Sequence, residues 1–351
     1  MKISQIAYSL IILIASVVIL TYGKDLFVPF ILAFLLWFII KELRDLLRKI
    51  RFVREKLPLW LMSAFSALVV SSILGVVISM LSNNIQQLSI ALPQYEGNVG
   101  RILISLDNMF GINVAESVKG FYENFDVTEI ISSLISSITS IFSDAFMILL
   151  YTLFFFLEEA TFMKKIRAVY PGSDRFEQVH ELIAKVDKSV GQYLVLKTIV
   201  SVLTGLLSYI TLLIIGVEAP LFWAFIIFLL NYIPTIGSLL GTTFPAIFAL
   251  LQFGDLVPFV AVLIVVGIIQ VVIGNIVEPK IMGDSLNISS LVVILTLSFW
   301  GSIWGITGMI LSVPITVIMI IVFAEFPQTH FIAIMLSEEG KVEGGKKKKL
   351  A

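Results

Sequence analysis

The stretch APLFWAFIIFLLNYIPTIGSLLGTTFPAI, residues 219–247, decides how this chain is folded. It is apolar enough for a membrane interior, yet Pro234, Gly237, Gly241 and Pro245 fall inside it. Proline removes an intrahelical donor, and glycine lowers helix stability. Residues 220–252 as one straight helix would measure about 50 Å at 1.5 Å per residue, well beyond a bilayer core of about 30 Å. The run is therefore predicted as a broken helix or a hairpin of two half-helices. In hydrocarbon such a break survives only where protein buries it or a wet cavity receives it.

The composition around it agrees. Of 351 residues 58% are hydrophobic and only 14% charged, with a mean hydropathy of +1.01. A soluble domain carries about 25% charged residues, so lipid must be the solvent for much of this chain. No basic field of the kind that nucleic acid requires is present. Cysteine is absent, which excludes disulfides and thiol chemistry. The two histidines, His180 and His330, lack companions at ligand spacing, so no metal site and no cofactor is expected.

Apolar stretches long enough to be spans lie at 6–22, 26–40, 57–81, 131–157 and 192–216, followed by the punctuated region 220–323. The apolar N-terminus lacks a small-residue cleavage site and reads as a first membrane helix. Lysine and arginine set the orientation. Residues 41–56 hold seven of them and 158–190 hold six, which marks both as cytoplasmic. Residues 82–130 carry only Arg101 and Lys119 and should face outside. Lys346 to Lys349 again signal the cytoplasm.

The expected fold is an all-α polytopic membrane protein of about eight crossings, in a bacterial-type inner membrane, with both termini cytoplasmic. Residues 1–81 form a three-helix region whose segment 41–56 is a basic interfacial helix at anionic headgroups. Residues 82–130 read as outward amphipathic helices, at the membrane surface or against a second subunit. Residues 131–216 supply helices four and five around the loop 158–190. Residues 217–323 form the broken-helix transport region, and 324–351 a cytoplasmic tail.

The chemistry concentrates in that broken region. Gly301, Gly305 and Gly308, followed by Pro314, resemble the spacing of Gly237, Gly241 and Pro245, which suggests a weak internal repeat. Transporters place paired discontinuous helices in two such halves, with solute between them. Close helix packing through small residues explains the same glycines. Asn275 and Glu278 abut the apolar run 256–277. Glu278 either pairs with Lys280 across Pro279 or serves a solute. Ser133, Ser136, Ser137, Ser140, Ser143 and Asp144 form a polar stripe in helix four. Asp144 there is either a proton or cation carrier or a partner of Lys197. Lys197 is otherwise expected to snorkel to the headgroups. No phosphate loop, GxSxG or HExxH occurs, so the chain is not read as an enzyme or an ATP-driven pump.

Three segments in order, 219–247, NIVEPKIMGDSL (275–286) and WGSIWGITGMILSVPIT (300–316), resemble the AI-2E family of permeases. That family is named for exporters of autoinducer-2, a furanone-derived quorum-sensing signal, and includes members described as sodium(lithium)/proton antiporters. The resemblance covers about residues 1–335. It implies a homo-oligomer, a pentamer, with an elevator-like moving part built from the broken helices. One departure is visible. Asn287-Ile288-Ser289-Ser290 stand where the family usually has a His-Pro pair, so any role of that histidine is absent here.

The expected function is a secondary transporter or exporter of a small polar solute such as autoinducer-2, embedded in membrane lipids. Its candidate residues are Asn231, Pro234, Gly237, Asn275, Glu278, Gly305 and Gly308. Exchange of Na+ or Li+ for H+ through Asp144 or Glu278 is the alternative within transport. A membrane scaffold that transports nothing is the alternative from another class.

Overall fold

A computed structural model describes residues 3–110, 144–171, 174–282 and 287–340, and these residues are helical without strands. The elements are α1 (Ile3–Tyr22), α2 (Lys24–Arg48), α3 (Arg51–Lys56), α4 (Leu59–Phe110), α5 (Ala145–Val169) and α6 (Asp174–Ile215). They continue as α7 (Pro220–Leu230), α8 (Ile236–Phe253), α9 (Leu256–Val272), a π-helical turn (Ile273–Val277), α10 (Glu278–Met282), α11 (Ser290–Glu325) and α12 (His330–Leu336). Six helical stretches are long and apolar enough to cross a membrane: Lys24–Arg48, Leu59–Leu81, Arg175–Ile215, Ile236–Phe253, Leu256–Met282 and Ser290–Glu325. A seventh is reached if Ala145–Glu159 and Thr161–Val169, bent by 58°, count as one. The expected eight crossings are thus six or seven among the described residues. The difference lies partly at α1, where the apolar part is the shorter Leu10–Tyr22.

The exterior of these helices is apolar. Leu68, Val76, Phe154, Leu206, Leu239, Val257, Ile268 and Leu295 are all exposed, while Lys197, Ser201, Thr204, Ser208, Gln270, Ser312 and Thr316 are buried. A water-soluble surface would show the reverse. Polar groups are inside because hydrocarbon cannot satisfy them.

Two compact units can be distinguished. One comprises residues 1–66, 144–196 and 282–351, and the other 67–143 and 197–281. In the first, Phe38, Val190, Tyr193, Leu194, Val313 and Val317 share a core. Phe30 and Phe34 of α2 meet Phe155 of α5 with ring centroids 5.1 and 5.5 Å apart. Trp300, Trp304 and Leu311 make a second cluster, pinned where the Trp304 indole N–H donates to the Leu20 carbonyl at 3.0 Å.

Several readings of the loops change. Residues 41–56 are not one helix: α2 runs on to Arg48, α3 takes up Arg51–Lys56, and Arg44 is buried. Its guanidinium donates to both Glu159 oxygens, at 3.1 and 2.8 Å, and to Ser63 at 3.2 Å. Lys41 pairs with Asp187. Most of residues 158–190 belong to the end of α5 and the start of α6 rather than to a loop, and Lys185 there reaches Glu325 at 3.0 Å. α4 continues unbroken through 82–110, so the segment expected to face outside begins as an extension of the helix that contains the span Leu59–Leu81. Residues 111–143, with most of the serine stripe, lie outside the described residues.

Taking away Arg44 would leave the Glu159 carboxylate without its bidentate partner. We expect Arg44→Met to cost about 3 kcal/mol, the lower end for a broken buried pair because Glu159 is partly exposed. Arg44→Met with Glu159→Leu should recover most of that loss. Thermal unfolding in detergent checks it, and a double variant no more stable than the single one would refute it.

Candidate functional site

In the second unit, three helices meet around a sharp elbow. α7 stops at Leu230 and α8 starts at Ile236. Pro234 ends the ladder because it has no N–H. The chain then turns at Thr235, whose φ of 62° and ψ of −58° are a rare conformation for a β-branched residue. The Pro234 carbonyl accepts from the Ile236 N–H at 2.6 Å, closing a tight γ-turn of the strained, positive-φ kind. Gly237 follows, and a Cβ there would overlap the Leu230 carbonyl. Only glycine lets α8 begin this close to the end of α7.

The elbow pairs part of its own backbone. The N–H groups of Asn231, Tyr232, Ile233 and Gly237 donate to Ile227, Leu229, Leu230 and Ile233 at 2.8–3.2 Å.

α6 holds this elbow with one polar stripe. Lys197, Ser201, Thr204 and Ser208 recur at spacings of four, three and four, and all are buried. The Asn231 side-chain N–H donates to Ser201 Oγ at 3.0 Å. Thr198 Oγ1 and the Tyr232 hydroxyl share a hydrogen bond of 2.7 Å. Lys197 forms an ion pair with Glu278. Farther along α6, Gly205 lets α7 approach closely, since a Cβ there would lie 3.1 Å from the Ala224 carbonyl. Lys197 and Ser201 are one helical turn apart, about 6 Å of rise. The ion pair and the elbow thus share a single turn of α6.

A register shift brings Glu278 into this group. Val262, Val266, Gln270 and Ile273 form the buried face of α9 and the start of the π-turn. A regular α-helix would next place Val277 on that face, four residues after Ile273. The π-turn instead lets the Glu278 N–H donate to the Ile273 carbonyl, five residues back, and presents Glu278. Pro279 cannot donate to the ladder, so an extra residue costs little there. Asn275, two residues after the buried Ile273, lies on the opposite side of the helix and is exposed.

The first unit carries a second elbow within α11. Gly305 has φ 61° and ψ −141°, a region that is essentially restricted to glycine. Three residues later, a Cβ on Gly308 would overlap the Trp300 carbonyl. Both elbows combine one positive-φ residue with one glycine beneath a carbonyl of the preceding half-helix. This is the structural content of the weak repeat.

The expected site residues therefore separate. Asn231 and Glu278 are brought to the same stripe of α6, and Pro234 and Gly237 build the elbow beside them. Asn275 points away. Gly305 and Gly308 build the other elbow. Asp144 is exposed immediately before α5, and the residues preceding it lie outside the described residues. Lys197 does not snorkel but is 4% exposed, and its partner is Glu278 rather than Asp144. Glu278 likewise pairs with Lys197, not with the neighbouring Lys280. Sequence reading missed Ser201 and Thr198. The polar period along 197–208 inside an apolar helix was the signal available.

An apolar exterior, buried polar groups paired across helices and apolar helices interrupted at two glycine-closed elbows define a polytopic membrane transporter. The chain belongs to the AI-2E family transporters, whose family description matches residues 10–328. It is similar to the AI-2 transport protein TqsA of Escherichia coli K12, at 31% identity over 342 residues, covering 95% of this chain and 96% of the relative. A relative from Haemophilus influenzae, 31% identical over 334 residues and covering 93% and 95%, carries only a provisional name as a transport protein. One from Borreliella burgdorferi, so named too, is 38% identical over 182 residues, or 51% and 49% of the two chains.

The two elbow residues should respond to substitution with opposite signs. Thr235→Gly relieves the positive φ, and we expect a gain of about 1 kcal/mol. Gly237→Ala forces Leu230 to move, and we expect a loss of at least about 2 kcal/mol. Thermal unfolding of the purified protein measures both. A Gly237→Ala variant as stable as the parent would show that the elbow is not closed as described.

Proposed function

We propose that this protein is a secondary transporter that exports a small polar solute, of the chemistry of autoinducer-2, across a bacterial inner membrane. The repeated elbow carries this reading. Two broken helices are each closed by a glycine beneath a carbonyl, and one of them is strained at Thr235, close to a change of backbone conformation. Strain of about 1–3 kcal/mol per residue persists where the surrounding structure enforces it, and it clusters at binding and switching sites. The similarity to a transport protein named for AI-2 supports the solute class, since the match spans nearly the whole of both chains. The bias of lysine and arginine supports cytoplasmic termini. The exposed apolar faces are compatible with the homo-pentamer that the family resemblance implies.

A second reading, exchange of Na+ or Li+ for H+, is favoured by one observation. Glu278 is a carboxylate within a candidate span and faces the polar stripe of α6. Asp144, exposed at a helix end, supports it less.

Purified protein in liposomes, with labelled autoinducer-2 on one side, tests the first reading directly. We expect accumulation that falls at least about tenfold in Gly237→Ala and Gly308→Ala, because differential stabilisation of moving states sets the rate. Asp144→Asn should transport at the parental rate. No autoinducer-2 movement, together with Na+- or Li+-driven proton flux reported by a pH-sensitive dye, would replace solute export with cation exchange.

A further inference from the structure

The charge distribution around Glu278 is unusually sparse. α7, α8 and α9 contain no ionisable residue, and α6 beyond Lys197 contains only Tyr209. Tyr232, in the elbow, has its hydroxyl engaged with Thr198. On its own element Glu278 has Lys280, which is exposed. Lys197 is therefore the buried charge that neutralises Glu278. The two are unequal in access: the Lys197 side chain is 6% exposed and that of Glu278 is 22% exposed. The carboxylate can meet an incoming proton, while the ammonium is enclosed.

Resting on the transport reading above, we propose that Glu278 is the proton-coupling site of this transporter and Lys197 its built-in, releasable counter-ion. The step is a simple protonation. The Glu278 carboxylate takes one proton and becomes a neutral acid, and the Lys197 ammonium keeps its charge. A lone ammonium in a low-dielectric interior is costly, whereas the pair was tolerable. Lys197 must then move toward water or another anion, and the turn of α6 that carries it loses its anchor on Glu278. That same turn holds Tyr232 through Thr198 and Asn231 through Ser201, both just before the strained Pro234–Thr235 γ-turn. Proton binding at Glu278 is thereby coupled to the elbow through the one helical turn that carries all three contacts. Loss of the proton restores the pair and draws the turn back.

The π-turn supports a functional rather than a merely packed carboxylate. Without its extra residue the face toward α6 would present Val277, and Lys197 would have no partner. Such turns inside helices occur frequently at functional sites.

Dicyclohexylcarbodiimide reports the proton without requiring transport, because it modifies carboxylic acids in their protonated form within apolar surroundings. The full chain in phosphatidylethanolamine–phosphatidylglycerol vesicles would be labelled from about pH 5 to 9, a range that brackets neutral pH. The Glu278 adduct would then be quantified by mass spectrometry. We expect labelling at low pH that disappears as pH rises. In Lys197→Met it should persist to higher pH than in the parent, since the variant removes the positive charge that the carboxylate faces. Lys197→Arg keeps the charge and should follow the parental profile, which also decides the matter if Lys197→Met does not fold. Glu278 unlabelled at every pH, or a profile indifferent to Lys197→Met, would overturn the proposal. The transport reading fails separately. Autoinducer-2 export by a protein whose Glu278 never labels keeps that reading and removes this one, while pH-dependent labelling without autoinducer-2 movement does the opposite.

Discussion

Hydrocarbon offers no hydrogen-bond partner, and almost every feature of this protein follows from that. A helix satisfies its backbone internally, so the described spans are helical. Each interruption must find its own partners. The Asn231–Gly237 elbow does so by folding its N–H groups back onto the carbonyls of α7 and by placing proline where a donor would be lost. The same constraint shapes the surface. Leucine, isoleucine and valine lie on the exposed faces as well as in the core, while lysine and asparagine such as Lys197 and Asn231 are buried against polar partners.

The elbows show how little sequence is needed to encode a break, and how differently it can be encoded. In α11 a glycine takes the positive φ. Between α7 and α8 a threonine takes it, although a β-branched side chain is ill suited to that conformation. A glycine beneath the preceding carbonyl closes both. The spacings differ by one residue, which is why the repeat is faint along the chain and plain in space. Thr235 is the more informative of the two, because strain in a residue that could have been glycine implies that the surrounding packing holds the elbow in place.

Buried charge in the two units is handled in one way, by pairing across helices that are distant in sequence. Arg44 is held by Glu159 and Lys197 by Glu278, over separations of 115 and 81 residues. A broken pair costs more than the intact pair contributes, so these contacts select one arrangement of helices more than they add stability. Lys197 differs from Arg44 in its setting. It belongs to the same helical turn that anchors a strained elbow, so its charge state and the elbow geometry are physically linked.

Composition and pattern alone determined the solvent, the helical class, the broken character of 219–247 and 300–316, and the family. Each rests on local facts: an excess of apolar residues, helix length against bilayer thickness, and proline and glycine within apolar runs. The partners were decided only in three dimensions. Asn275 and Glu278 looked equivalent along the chain, but Asn275 falls opposite the buried face while a π-turn of one extra residue brings Glu278 toward Lys197. Lys197 itself read as a cation at a helix end, because nothing nearby in sequence could neutralise it. Periodicity tells which residues share a face. Only the fold decides what that face meets, because a register shift of one residue rotates the remainder of a helix by about 100°.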